Sequence, residues 1–177
     1  GNLEAGLDGL FEEGVRRFVV VDGQVTQARQ SWQMLTPAQQ REMNSINTLW
    51  RDLANRGHAG AQRALGVICE RGHGVPKNYK KAVQWYRLAA EQGHAVAQFN
   101  LGVMIELGKG VPKRYKKAVQ WYRLAAEQGY PKAQFNLGLM FEDGEGVEKN
   151  DKKAARWYRL AAEQGVSLAQ YNLGLMI

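Results

Sequence analysis

Apolar residues along this 177-residue chain recur with helical spacing, and over most of its length the spacing itself repeats. Between Ala95 and Leu107, the residues Ala97, Leu101, Met104 and Ile105 follow the i, i+4, i+7, i+8 rule for one helical face. Between Tyr115 and Gln128, Ala118, Trp121, Tyr122, Ala125 and Ala126 form a second such face. Gly129 then predicts a left-handed stop, and Pro131 stands where a helix best tolerates proline, at its first position. With about two residues between them, consecutive helices must pack antiparallel.

This helix pair recurs at a step of 36 residues. Trp-Tyr-Arg-Leu-Ala-Ala-Glu-Gln-Gly occurs at 85–93, 121–129 and 157–165, Leu-Gly at 65/66, 101/102, 137/138 and 173/174, and Gly-x-Gly-Val at 72–75, 108–111 and 144–147. Three full units therefore occupy 58–93, 94–129 and 130–165, followed by a partial unit, 166–177. Each contains a helix A, a Gly-x-Gly turn and a helix B, which is the signature of an α-solenoid. The glycines at 66, 102, 138 and 174 lie inside helix A, where each costs about 1 kcal/mol relative to alanine. Close approach of a large Trp or Tyr from helix B offsets that cost.

Residues 1–57 are less regular and read as a divergent helical cap. Leu7, Leu10, Phe11, Val15 and Phe18 predict a helix ending at Asp22-Gly23, and Val25, Ala28, Trp32 and Leu35 predict a second. Thr36-Pro37-Ala38-Gln39 is a capping box that opens a third helix toward Gly57. The segment Leu49 to Gly57 overlays Trp85 to Gly93 at the same step.

The pattern Ala-Gln-Phe-Asn-Leu-Gly-x-Met, then Gly-x-Gly-Val, then Lys-Lys-Ala-x-x-Trp-Tyr-Arg-Leu-Ala-Ala-Glu-Gln-Gly resembles the SEL-one-like repeat (SLR), a relative of the tetratricopeptide repeat. The resemblance covers residues 58–177, and residues 11–35 resemble the looser leading helix pair of bacterial members. It implies an all-α fold, a right-handed α/α superhelix of antiparallel helix pairs, and an adaptor or scaffold role in signalling or at the bacterial cell envelope. The chain departs from the family pattern where tyrosine is common on helix A, with Cys69, Ile105, Phe141 and Ile177 there instead. It departs again at the start of helix B, with Asn78, Arg114 and Asn150 in place of aspartate. Asn caps a helix as Asp does, whereas Arg does not, so a frayed start is expected after Arg114.

Composition narrows the function classes. An excess of 24 Lys and Arg over 17 Asp and Glu gives a charge of +7 and favours acidic partners. Cys69 is the sole cysteine, so no internal disulfide forms. No apolar run approaches the ~20 residues of a membrane span. The chain begins at Gly1, which reads as a trimmed piece, so cytoplasm and periplasm or cell envelope both stay open. At the other end Leu173, Leu175, Met176 and Ile177 lack a covering helix B, which implies further repeats or self-association.

Candidate chemistry reduces to architecture when the units are overlaid. Cys69 and His73 are spaced for a nucleophile and base or for two metal ligands, but their slots hold Ile105 and Phe141, and Lys109 and Glu145. His58 and His94 share a slot with Tyr130 and Val166, and Gly108-Lys109-Gly110 lacks the spacing of a phosphate loop. No catalytic residue, cofactor or metal is assigned, and a hydrolase lacks its nucleophile and base. The lysine pairs 80/81, 116/117 and 152/153, with Arg87, Arg123 and Arg159, read as a solvated outer face of helix B.

The functional signal lies on helix A, opposite its buried side, at Val96, Phe99, Asn100, Val103, Glu106 and Leu107. The matching residues are Arg63, Ala64, Val67, Glu70 and Arg71, then Phe135, Asn136, Leu139, Glu142 and Asp143, then Tyr171, Asn172 and Leu175. These correspond to the positions lining the concave groove in tetratricopeptide relatives, which implies a docked protein or peptide. On the other reading, Phe99 and Phe135 fill space between units and the asparagines satisfy helix ends. A nucleic-acid-binding helical repeat is the alternative class, disfavoured because Glu70, Glu106 and Glu142 put an acid on that surface in every unit.

Overall fold

A computed structural model describes residues 2–28 and 30–176; Gly1, Arg29 and Ile177 lie outside the described residues. Nine α-helices and no strand occur among them: α1 (Asn2–Gln27), α2 (Pro37–Asn55), α3 (Ala59–Arg71), α4 (Tyr79–Glu91), α5 (Ala95–Leu107), α6 (Tyr115–Glu127), α7 (Pro131–Asp143), α8 (Asp151–Glu163) and α9 (Ser167–Leu175). The chain forms two compact units, residues 1–89 and 90–177.

In the first unit the predicted break at Asp22-Gly23 does not occur, and α1 continues to Gln27. Val21 and Val25, one turn apart, are both buried at 2 % exposure, and that shared burial outweighs the cost of about 1 kcal/mol for one helical glycine. The predicted second helix is absent as a consequence. Val25 belongs to α1, Ala28 is exposed, and Trp32 and Leu35 reach the core from the segment that leads to α2. The start of α2 is as expected: Thr36 Oγ1 accepts from the Gln39 N–H at 3.2 Å, and the Gln39 side chain accepts from the Thr36 N–H at 2.9 Å. Met43, Ile46, Trp50 and Leu53 on α2 meet Val21 and Val25 of α1 and Leu65 and Ile68 of α3 in one apolar core. The Arg17 guanidinium ties α1 to α2 by donating to Glu42 at 2.6 Å and to Ser45 at 2.7 Å.

In the second unit α5 to α9 pack in chain order, each on the next. Gly108 and Gly144 end α5 and α7 in the left-handed region, at φ 68° and 72°, which only glycine adopts without strain. The backbone closes each turn, with Arg114 N–H donating to the Ile105 carbonyl and Asn150 N–H to the Phe141 carbonyl. Asn150 also caps α8 through its side chain, to Lys153 N–H at 2.9 Å. Arg114 makes no such bond, yet α6 begins at Tyr115 in step with α8, so the expected fraying is not seen. The closing backbone bond and the Arg114 carbonyl, which accepts from Lys117 and Ala118, hold that start.

Pairs of glutamines brace the next joint. Gln98 and Gln134 are buried at 4 % exposure and donate to the carbonyls of Ala90 and Ala126. Gln128 and Gln164 then donate to Gln98 and Gln134, at 2.7 and 2.8 Å. Buried amides satisfied this way fix the register between one helix B and the following helix A.

Candidate partner-binding face

The buried side of each helix A is the one the periodicity marks. Ala97, Leu101, Met104 and Ile105 on α5, and Ala133, Leu137, Met140 and Phe141 on α7, are all buried. On the opposite side Phe99, Asn100, Val103 and Glu106, and Phe135, Asn136, Leu139 and Glu142, are half-buried at matched positions. Leu107 is 54 % exposed, and on α9 Tyr171 is 65 % exposed beside half-buried Asn172. In the first unit Arg63, Val67 and Glu70 on α3 are likewise half-buried.

The polar members of this row are engaged by a residue that the sequence reading placed only on the packed side, the tyrosine of helix B. Tyr122 is fully buried, and its hydroxyl donates to the Glu106 carboxylate while accepting from the Asn136 amide of the next repeat. The same set recurs as Glu142, Tyr158 and Asn172. In the first unit Tyr86 donates to Glu70 at 2.5 Å. Burial, with the carboxylate alongside, pushes each of these phenols far above its usual range, so the hydroxyl stays a donor. Asn136 and Asn172 therefore reach a neighbouring repeat rather than helix ends. The signal was present in the sequence, since Glu106, Tyr122 and Asn136 all recur at the 36-residue step, but periodicity alone does not pair them.

The aromatic members are partly packed too. Phe99 meets the rings of Tyr122 at 5.8 Å and, edge-on, Tyr130 at 5.3 Å, and Phe135 meets Tyr158 at 5.7 Å. Each keeps a half-exposed flank in line with Val103 or Leu139.

The residues weighed for other chemistry have structural surroundings. Cys69 is half-buried, less so than Ile105 and Phe141 in its slot, and burial pushes its thiol up, away from the reactive thiolate. His73 stacks on Trp32 at 4.3 Å and near Phe18 at 5.9 Å. His58 and His94 cap α3 and α5, each ring accepting a backbone N–H through Nδ1, a role that the overlay did not reveal. Lys116, Lys117, Arg123, Lys152, Lys153 and Arg159 are exposed. Among the described residues, no helix is long and apolar enough to cross a membrane.

A family model described as "Sel1 repeat" matches residues 59–94, 95–130, 131–166 and 167–177. Among solved structures, the chain is 35 % identical to c5321, a protective antigen of uropathogenic Escherichia coli displaying an SLR fold, over 99 % of this chain and 34 % of that one, with a TM-score of 0.81. It is 39 % identical to a Sel1 repeat protein of Oxalobacter formigenes over 79 % of this chain and 60 % of that one, TM-score 0.68. It is 25 % identical to Helicobacter pylori cysteine rich protein B over 72 % of this chain and 97 % of that one, TM-score 0.57. The chain thus spans about a third of the first and three fifths of the second. No curated protein matches it. With 36-residue helix pairs in register, matched structures of the same fold and a family model covering the repeats, the chain is an all-α helical-repeat protein that belongs to the Sel1 repeat family, whose members generally serve as scaffolds for protein–protein interaction.

Proposed function

We propose that this chain is a non-enzymatic scaffold that holds a partner protein or peptide on its helix A face. The observation that carries the reading is a mismatch of burial on α5 and α7. Phe99 and Val103 on α5, and Phe135 and Leu139 on α7, stay half-exposed at matched positions while Leu101, Met104, Leu137 and Met140 beside them are sealed. Such a row of apolar flanks at a constant step suits the side chains of a docked segment. An asparagine amide has two N–H groups and an acceptor oxygen, so Asn136 and Asn172, oriented by Tyr122 and Tyr158, retain capacity to bond a peptide backbone. In the first unit Arg63, Val67 and Glu70 hold the matching positions on α3.

Alanine at Asn136 would also remove a bond to Tyr122, so photocrosslinking is the cleaner test. A benzophenone side chain at Val103 or Leu139 is expected to trap a partner from a bacterial lysate or envelope fraction, and one at the exposed Glu91 or Glu163 in the last turn of helix B is not. Crosslinks confined to the helix B positions would overturn the assignment of the face.

A further inference from the structure

The cationic side of helix B in the second unit is not a flat solvated surface. An open cleft of about 480 Å³ lies between α6 and the Gly146-Val147 turn, lined by the apolar Val119, Leu124 and Val147 together with Lys116, Gln120 and Arg123. Lys116, Val119 and Arg123 are spaced i, i+3, i+7 on α6, so they form one stripe with its two cations about 10.5 Å apart along the axis. Arg123 also lines a second cleft of about 350 Å³, which continues past Phe141 and Trp157 between Lys153 and Arg156 and includes one acid, Glu127. The two clefts share Arg123, and together they are the basic trough of this face.

Its walls are set by backbone. A Cβ at Gly146 would fall 2.5 Å from the Tyr115 carbonyl carbon, so the turn abuts the start of α6 and needs no rearrangement to line the cleft. Three of its four cations are unspent: among the described residues, no carboxylate lies within ion-pair distance of Lys116, Arg123 or Arg156, while Lys153 lies over the Phe141 ring at 5.5 Å. Leu124 is 46 % exposed, and its counterpart Leu160 on α8 is 37 % exposed. Four cations against one acid, around an aliphatic lining, call for a ligand that carries carboxylates and apolar side chains together.

We propose that this trough docks an acidic, leucine-bearing segment of a partner protein. A leucine side chain covers Val119, Leu124 and Val147 while flanking carboxylates pair with Lys116 and Arg123. Nucleic acid fits less well, because of the two aromatic rings in the lining Phe141 is buried under Lys153 and only the Trp157 indole is half-exposed for stacking, and Glu127 lines the second cleft where a phosphate would lie.

The test is fluorescence anisotropy with the whole chain and a fluorescein-labelled octapeptide, Glu-Glu-Leu-Leu-Glu-Glu-Leu-Leu. Parallel probes replace Glu by Lys, replace Leu by Ser, or substitute an eight-nucleotide oligouridylate. The acidic leucine peptide is expected to bind saturably, and both Arg123→Glu and Leu124→Gln, exposed changes that leave the melting curve intact, weaken it about tenfold or more. No saturable binding, retention in either variant, equal binding of the Glu/Ser peptide, or tighter binding of the oligouridylate overturns the proposal. No helix A residue enters this test, so its failure leaves the helix A reading standing.

Discussion

A Cβ added to Gly102 would stand 2.7 Å from the ring of Tyr122, so the bare backbone of α5 and the buried phenol of α6 occupy adjoining space with nothing to spare. Gly66 and Gly138 bear the same relation to Tyr86 and Tyr158, at 2.5 and 2.6 Å. Gly174, in the matching slot of α9, has nothing within 4 Å. Alanine therefore has opposite effects at equivalent positions. Gly102→Ala gains about 1 kcal/mol of helix propensity and incurs about 1–3 kcal/mol of overpacking against a ring with no room to retreat, a net loss. Gly174→Ala keeps the propensity gain alone. Urea denaturation of the two variants is expected to move in opposite directions.

Tyr122→Phe removes the hydroxyl that joins Glu106 to Asn136 without changing the ring that fills the Gly102 notch. Glu106 is half-buried and regains some water, so the expected cost is about 1–2 kcal/mol. A double-mutant cycle with Glu106→Gln should return a coupling of at least about 0.5 kcal/mol. Strict additivity would show that the hydroxyl carries no net stabilisation.

The ring of His73 lies against Trp32, and its Nδ1 is buried without a partner. Burial, and then the charge of Arg71, lower its pKa, with Asp22 acting weakly the other way. The unfolded chain therefore takes up the proton more readily than the folded one. Stability from this group is present above pH 6.5, the ordinary value for histidine, and is lost as pH falls below it toward the folded pKa. Denaturation of parent and His73→Phe between pH 7.5 and 5, followed by tryptophan fluorescence, should show a steeper loss for the parent, and parallel curves would contradict this.

Arg114 holds the N-cap position of α6 with no side-chain bond, where Asn150 on α8 accepts from Lys153 N–H. Arg114→Asn is expected to stabilise the chain by about 0.5–1 kcal/mol and Asn150→Ala to destabilise it by about 1 kcal/mol. Thermal melts of the two variants report both signs.

Where the fold was legible in the sequence, the information was local and repeated. The bounds of α5 and α7 follow from their apolar faces and the Gly-x-Gly turns, and the start of α2 from its capping box. The candidate face was legible as a row of positions, but its state was not. Glu106 looked like a free surface acid and is held by Tyr122, and Asn136 looked like a helix-end or peptide ligand and joins two repeats. The trough on α6 was invisible as such, since Lys116 and Arg123 gain their apolar lining only when the Gly146-Val147 turn is laid beside them.

By itself the sequence determined the repeat length, the helix pairs and the rule that a small residue on helix A faces a large one on helix B, because identical segments recurring at a fixed step admit one register. Only the tertiary structure decided that tyrosine rather than tryptophan fills the glycine notch, that α1 passes through Gly23, and that His73 stacks on Trp32. The physical reason is the same in each case. A local preference is worth about 1 kcal/mol or less, and it yields to the burial of large side chains brought together from distant parts of the chain.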